Sequence, residues 1–499
     1  MTTAPRLLQV DADELASAVA GLVAEGARFA GLFATAGDDG ATILRALVAH
    51  GGSLELLAAQ LPPGRRHYPS LTPSIPAASW YEREIHDLFG VVPVDHPRLD
   101  PLVLPLVGTE PPFPRPGSGA EGGRVTLDCS PLPAHVTGEG LFTIPYGPVR
   151  SGVFEAVEYL VESYGEDIPH LRTRVHYKHR GIERRFSSLP AGDGVLLAER
   201  VEGTASVAHA TAFCEALEGL AGVEPPPGAG LVRVVHAELE RIACHLDSVI
   251  RHTEGAGQAV AYARLTLHKE RLMRLRAQLC GHRFARGVVV PGGVSGPPLL
   301  GAAGALDGVE RLEAAVAKDT HALMQTPSFL DRLRRTGLLP AEVAVPHGAL
   351  GPVGRGSGVA GDVREARPYG RYRQLGFRPA ETRAEGDALA RQVVRLDEVA
   401  SSFRLVRAAL DELPRAAAGG RWREEVPVVD GIGLGSAEAP QGELVYLVEV
   451  SAGRLRRVKP RTASFHNLAL LPQAFRGDIL TDFVFIEASF GLSMAGAAG

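Results

Sequence analysis

Glu199-Arg200-Val201-Glu202-Gly203-Thr204-Ala205-Ser206-Val207-Ala208-His209 is the stretch on which the reading of this chain turns. It sets a carboxylate, Glu202, and an imidazole, His209, on either side of small residues. It then runs into a helix predicted from Ala208, Ala212, Ala216 and Leu220 at four-residue steps. Further along, Leu231, Val235, Leu239, Ile242, Leu246 and Val249 step by four and three, which predicts a helix with one apolar stripe. Leu265, Leu272, Leu275 and Leu279 mark another, Val309, Leu312, Val316 and Leu323 a third, and Leu396, Val399, Phe403, Val406 and Leu410 a fourth. Stripes of this kind are buried against one another in an antiparallel bundle.

The chain has 499 residues, enough for two or three units at about 100–200 residues each. Its net charge of −5 argues against non-specific nucleic-acid binding. Its four cysteines, Cys129, Cys214, Cys244 and Cys280, form no C-x-x-C pair. A disulfide framework, and a zinc or iron–sulfur site held by this chain alone, are therefore not expected. No apolar run reaches the ~18–20 residues of a membrane span, and Met1 to Val10 lacks the pattern of a signal peptide. The expected place is the cytoplasm, with any membrane attachment made through partners.

Residues 1–107 read as a small α+β unit. Leu15, Val19 and Val23 predict a helix over 12–24, with Asp11 or Asp13 near its start, and 29–35 and 53–60 read as strands. The run Ser79-Trp80-Tyr81-Glu82-Arg83-Glu84-Ile85-His86-Asp87-Leu88-Phe89-Gly90 predicts a short helix with an aromatic and an acidic face. Residues 108–135 are dense in proline and glycine and read as an extended linker. The second domain is expected over 136–499, opening with a strand, tight turn and strand across 142–155. Glycine-rich 351–359 lacks the lysine and the spacing of a phosphate-cradling loop.

These motifs, in order, carry a resemblance. Residues 79–90 with His96-Pro97-Arg98-Leu99 resemble the W-x-E-R-E-x-x-D-L-F-G and H-P-x-L signatures of a peripheral-arm accessory subunit of respiratory complex I. Residues 199–209 resemble the E-R-V-C-G-x-C-x-x-A-H segment of NiFe-hydrogenase large subunits. His179-Arg180-Gly181-Ile182-Glu183, Glu238-Leu239-Glu240-Arg241-Ile242 with His245-Leu246, Pro291-Gly292-Gly293-Val294 and Arg355-Gly356-Ser357-Gly358-Val359 resemble segments shared by hydrogenase and complex I large subunits. The chain thus resembles the fused large subunit of formate hydrogenlyase-type, group 4 hydrogenases. The implied fold is α+β: a small N-terminal α/β domain, then a mainly helical bundle with peripheral sheet.

The resemblance implies four cysteine ligands for a nickel–iron centre. Their places hold Glu202, Ala205, Ser493 and Gly496. A methyl group cannot bind a metal, and a carboxylate is not the soft donor that nickel and low-spin iron take. No metal is therefore expected here. Arg150 and Gly203 stand where complex I relatives contact a quinone with a histidine and a tyrosine. Glu183 stands at a carboxylate that in hydrogenases relays protons or lies near a divalent metal; read from its surroundings alone, it pairs with Arg180 or Arg184. His245 reads as a core histidine bonded to a backbone carbonyl, or as a ligand.

The implied function is electron transfer, NAD(P)H- or formate-linked, in a membrane-associated oxidoreductase. Electrons come from an iron–sulfur cluster in a small partner subunit, and a quinone sits at the interface. Membrane antiporter-like subunits are the further partners, and Glu183, Glu202 and His209 handle coupled protons. The alternative is a catalytically empty coupling subunit of the same assembly, on the inner face of the cell membrane.

Overall fold

The computed structural model describes residues 6–37, 39–105, 136, 138–150 and 155–499. The whole of the expected linker, 108–135, and with it Cys129, lies outside the described residues.

The N-terminal part runs β1 (Arg6–Val10), α1 (Leu15–Ala24), β2 (Arg28–Ala36), β3 (Thr42–His50), β4 (Ser53–Leu61), β5 (His67–Pro69), α2 (Ser79–Phe89) and β6 (Val92–Val94). Four strands form a sheet in the order β1-β4-β3-β2, with β1 parallel to β4 and the other pairs antiparallel. Helix α1 covers this sheet with Leu15 and Val19. Its start takes no side-chain cap from Asp11 or Asp13.

Both faces of α2 are buried, the acidic one included. Glu82 accepts bonds from the Ser70 hydroxyl at 2.6 Å, the Leu71 amide at 2.8 Å and the Thr72 hydroxyl at 2.6 Å. Asp87 accepts from the amides of Leu102 and Val103 at 2.7 and 2.9 Å. Carboxylates can be buried here because each is met by donors of a neighbouring loop.

The second part opens with an antiparallel sheet of β7 (Leu141–Tyr146), β8 (Glu158–Tyr164) and β9 (Asp167–Arg174). The strand expected to return directly after the turn starts only at Glu158; residues 151–154 lie outside the described ones. Then come α3 (Ile182–Phe186), α4 (Gly194–Ala198), α5 (Ser206–Ala221), α6 (Pro227–Gly255) and α7 (Ala259–Cys280). A short hairpin of β10 (Val289–Val290) and β11 (Gly293–Val294) leads to α8 (Ala302–Leu323). Four short helices follow, α9 (Pro327–Asp331), α10 (Ala341–His347), α11 (Gly351–Arg355) and α12 (Val363–Ala366), and then α13 (Ala388–Ala416). The antiparallel sheet β12 (Gly431–Ala439), β13 (Gly442–Ser451) and β14 (Arg454–Arg461) precedes α14 (Ala463–Leu468), α15 (Phe483–Phe490) and α16 (Met494–Ala498).

Helices α6, α7, α8 and α13 pack into the expected bundle. Around α6 burial exceeds one stripe: Arg233, His236, Glu238, Glu240, Arg241 and His245 are buried as well. The alanines of α5 have a different partner. Strand β12 lies so close on this helix that a Cβ at Gly433 or Gly435 would overlap the carbonyls of Ala216 and Ala212. Small residues on both elements allow that approach, and it sets α5 firmly beside the sheet.

The buried side chains fall into two clusters. One is the bundle with α5 and its sheet. The other joins the N-terminal sheet and α2 to residues of β8, β9, α14, α15 and α16. This second cluster therefore draws on residues from both sides of 108–135. Among the described residues no helix is long and apolar enough to cross a membrane.

Candidate functional site

The quoted stretch is the entry to α5. The buried Glu240 carboxylate of α6 accepts the first free amides of that helix, Val207 at 2.9 Å and Ala208 at 3.1 Å. Burial pushes Glu240 up to about 7, against the opposing charge of Arg276.

Glu202 is 1% exposed. Its carboxylate fills the space over Gly496 at the start of α16, where a Cβ would overlap it. The His209 Nε2 lies 3.5 Å from Glu202 Oε2, and its Nδ1 lies 2.6 Å from the Tyr446 hydroxyl of β13. Burial and then Glu202 hold the Tyr446 phenol well above its usual range, so it remains a donor. Nδ1 and the Tyr446 hydroxyl thus share one hydrogen bond, and Nε2 faces Glu202. Among the described residues, Glu202 Oε1 and His209 Nε2 have no closer hydrogen-bond partner. The Gln441 amide reaches Thr204 Oγ1 at 3.1 Å and Cys244 Sγ at 3.4 Å. Burial pushes that thiol up to about 12, so it is neutral.

The chain's last helix is tied to the same place. Arg180 donates to the Val201 carbonyl at 2.5 Å and the Ala495 carbonyl at 3.3 Å. Ser493 caps α16 and donates to Glu155 at 3.1 Å. Ala205 is fully buried and precedes α5 as its cap residue. Open space surrounds the place of a side chain at the exposed Gly203. The structure thus brings Glu202, His209 and Gly496 together.

Glu183 lies apart from this group, in ion pairs of its own. Its ion pairs are not with Arg180 or Arg184 but with Arg457 at 2.6 Å and Lys459 at 2.5 Å, both from β14. Burial alone would raise its pKa, but these two cations outweigh it and hold Glu183 at about 2. A carboxylate held so strongly does not pick up protons near neutrality. Lys459 also meets both oxygens of Glu84 at 2.7 Å. The N-terminal part is joined to the large part by this shared ammonium.

Arg150 is likewise committed. It makes two bonds to Glu487, at 2.8 and 2.9 Å, and lies over the rings of Tyr146 and Tyr159. His245 bonds the Glu398 carboxylate at 2.7 Å rather than a backbone carbonyl, and burial lowers it to about 4. Among the described residues no three His, Cys, Asp or Glu side chains converge as a metal site.

Sequence reasoning missed Tyr446, Glu240, Gln441 and Lys459. The alternation Arg457, Lys459, Arg461 was a readable sign of one charged strand face. Tyr446 carried no local signal.

Removing the Tyr446 hydroxyl tests the site directly. Tyr446→Phe is expected to cost about 1–3 kcal/mol in denaturant unfolding, because it leaves buried His209 Nδ1 unpaired. The His209 ring resonances in NMR are expected to shift with it. Unchanged stability and resonances would remove Tyr446 from the site.

The chain has relatives among known proteins. Residues 256–429 and 420–498 match the family described as the respiratory-chain NADH dehydrogenase 49 Kd subunit, and residues 8–113 match the 30 Kd subunit. The membrane-bound hydrogenase subunit alpha of Pyrococcus furiosus is 31% identical over 373 residues, which cover 69% of this chain and 84% of that protein. Formate hydrogenlyase subunit 5 of Escherichia coli is 28% identical, over 85% of this chain and 75% of its own. The C/D subunit of NADH-quinone oxidoreductase from Gluconacetobacter diazotrophicus is 26% identical, over 92% and 84%.

The class is therefore that of complex I and group 4 hydrogenase-type subunits, which work within multi-subunit electron-transfer oxidoreductases. Within it, the chain belongs to the family of 49 Kd-type large subunits and carries a 30 Kd-type domain fused at its N-terminal side.

Proposed function

We propose that this chain is the large subunit of a membrane-associated oxidoreductase and works without a nickel–iron centre of its own. One observation carries the reading: the Glu202 carboxylate packs against Gly496, so two places that the resemblance assigns to thiolates meet as a carboxylate and a missing side chain. With Ala205 and Ser493 at the other two, the donors are one carboxylate and one hydroxyl. That set does not fit soft metals, and the carboxylate takes up the room.

Electrons would come from an iron–sulfur cluster in a small partner subunit, with a quinone as acceptor at the interface. The donor would be linked to NAD(P)H or formate. Membrane antiporter-like subunits would hold the chain to the cytoplasmic face of the membrane. Here Glu202, His209 and Tyr446 form the proton-handling line, with His209 taking a proton at one ring nitrogen and releasing the one held on the other.

The test is purification of the native complex with metal analysis. Iron in an accompanying small subunit, without stoichiometric nickel, is expected. One nickel per copy of this chain, or no iron–sulfur partner, would overturn the proposal.

The locked state of Glu183 favours a second reading, a coupling subunit that moves no electrons or protons itself. Under that reading Glu202→Gln leaves electron transfer in the complex unchanged; under the first it slows it.

A further inference from the structure

A second group of buried charges lies between the bundle and the end of β12. Its carboxylates are Glu238 of α6, Asp362 before α12, Glu398 of α13 and Glu438 of β12. The guanidiniums paired with them are Arg241, Arg355 and Arg364. Four negative groups thus face three positive ones. Arg395, nearby on α13, directs its guanidinium to the carbonyls of Arg391 and Phe490. His245 is neutral, as its lowered pKa of about 4 requires.

The partners are unequally shared. Asp362 takes Arg364 through two bonds, at 3.0 and 2.7 Å. Glu398 takes Arg355 at 3.0 and 2.5 Å and His245 at 2.7 Å. Glu238 takes Arg364 at 3.1 Å, Arg241 at 3.2 Å, Tyr372 at 2.5 Å and Ser402 at 2.6 Å. Glu438 is left with the far side of Arg355, at 3.3 and 3.4 Å, and the Val363 amide at 3.1 Å. Across the hairpin its register partner is Glu443, whose charge is met by Arg28, Arg367 and Arg461. A buried carboxylate without its own cation is costly, and taking up a proton removes that cost.

We propose that this cluster is a proton-binding site and that Glu438 carries the proton. Uptake turns its carboxylate into the acid, breaks no other bond, and brings the seven groups from one net negative charge to none. Burial and then the facing Asp362 raise Glu438 to about 7, while Arg355, Arg364 and Arg241 oppose the rise, so the site exchanges near neutrality. Three residues further on, Gln441 reaches Thr204 beside Glu202. The cluster would serve as a proton store next to the line through Glu202, so its use rests on the proton-coupling part of the functional reading; its existence does not.

The experiment is Glu438→Gln in the full chain, read by pH-difference infrared spectroscopy and by thermal melting. Glutamine is a neutral isostere of the acid. Glu438 binds its proton more tightly folded than unfolded, where the ordinary value is 4.5, so it stabilises the fold less as pH rises from about 4.5 through about 7. The Tm of the variant is therefore expected to gain on that of the native chain between pH 5 and pH 8. One protonated-carboxyl band titrating near neutrality is expected to vanish.

A Tm difference that stays flat with pH, or a band set unchanged by the substitution, would overturn the proposal. So would a variant that cannot fold, because a neutral side chain is what the site is proposed to hold. These readouts involve no electron transfer. They can fail while the functional reading stands, or succeed while it falls.

Discussion

Lys459→Met is expected to cost about 3–5 kcal/mol, because it leaves a buried charge uncompensated. The ammonium meets Glu84 of α2 and Glu183 of α3 together, all three are buried, and Phe465 lies beside it. Without it Glu183 keeps Arg457, but among the described residues Glu84 keeps no ion-pair partner. Burial already raises Glu84, with Lys459 the chief opposing influence. The variant is expected to take up a proton at Glu84, which recovers part of the loss at low pH. A domain's whole stability is about 5–15 kcal/mol, so little would remain at neutral pH. Denaturant unfolding at pH 5 and pH 8 reads the effect. Near-native stability at both would show that the bridge between the two parts is not what holds them.

The second large effect is expected at Gly496. A methyl group there would overlap the Glu202 carboxylate, and overpacking of a filled interior typically costs about 1–3 kcal/mol. The carboxylate has little freedom to retreat, because Tyr446 holds His209 and Glu202 is itself fully enclosed. Gly496→Ala is therefore expected to destabilise strongly alone and far less in a Glu202→Ala background. A double-mutant cycle over the two positions should give a coupling of about 1 kcal/mol or more. Additive effects would mean that Glu202 and Gly496 do not meet at this point, and Glu202 would no longer fill the room a metal centre needs.

Much of the architecture was legible because it rests on local periodicity. The stripes of α6, α7, α8 and α13 are repeats of three and four residues, and they were buried as expected, Leu396 of α13 only partly. The run around Trp80 was a helix, but its carboxylates went inward, because the loops at Ser70–Thr72 and Leu102–Leu104 supply donors that lie 10–17 residues away in sequence. His245 was placed in the core correctly and given the wrong partner, since Glu398 is 153 residues distant.

The sequence alone settled which chemical groups stand at each motif: a carboxylate at 202, an imidazole at 209, and no thiol at 205, 493 or 496. Tertiary structure decided what state those groups are in. Proton affinity depends on burial and on the charges within a few ångströms, and for Glu183 those charges are two cations more than 270 residues away. The same dependence makes Glu438, which no motif marked, the carboxylate without a cation of its own, because only the folded chain sets four acids beside three guanidiniums.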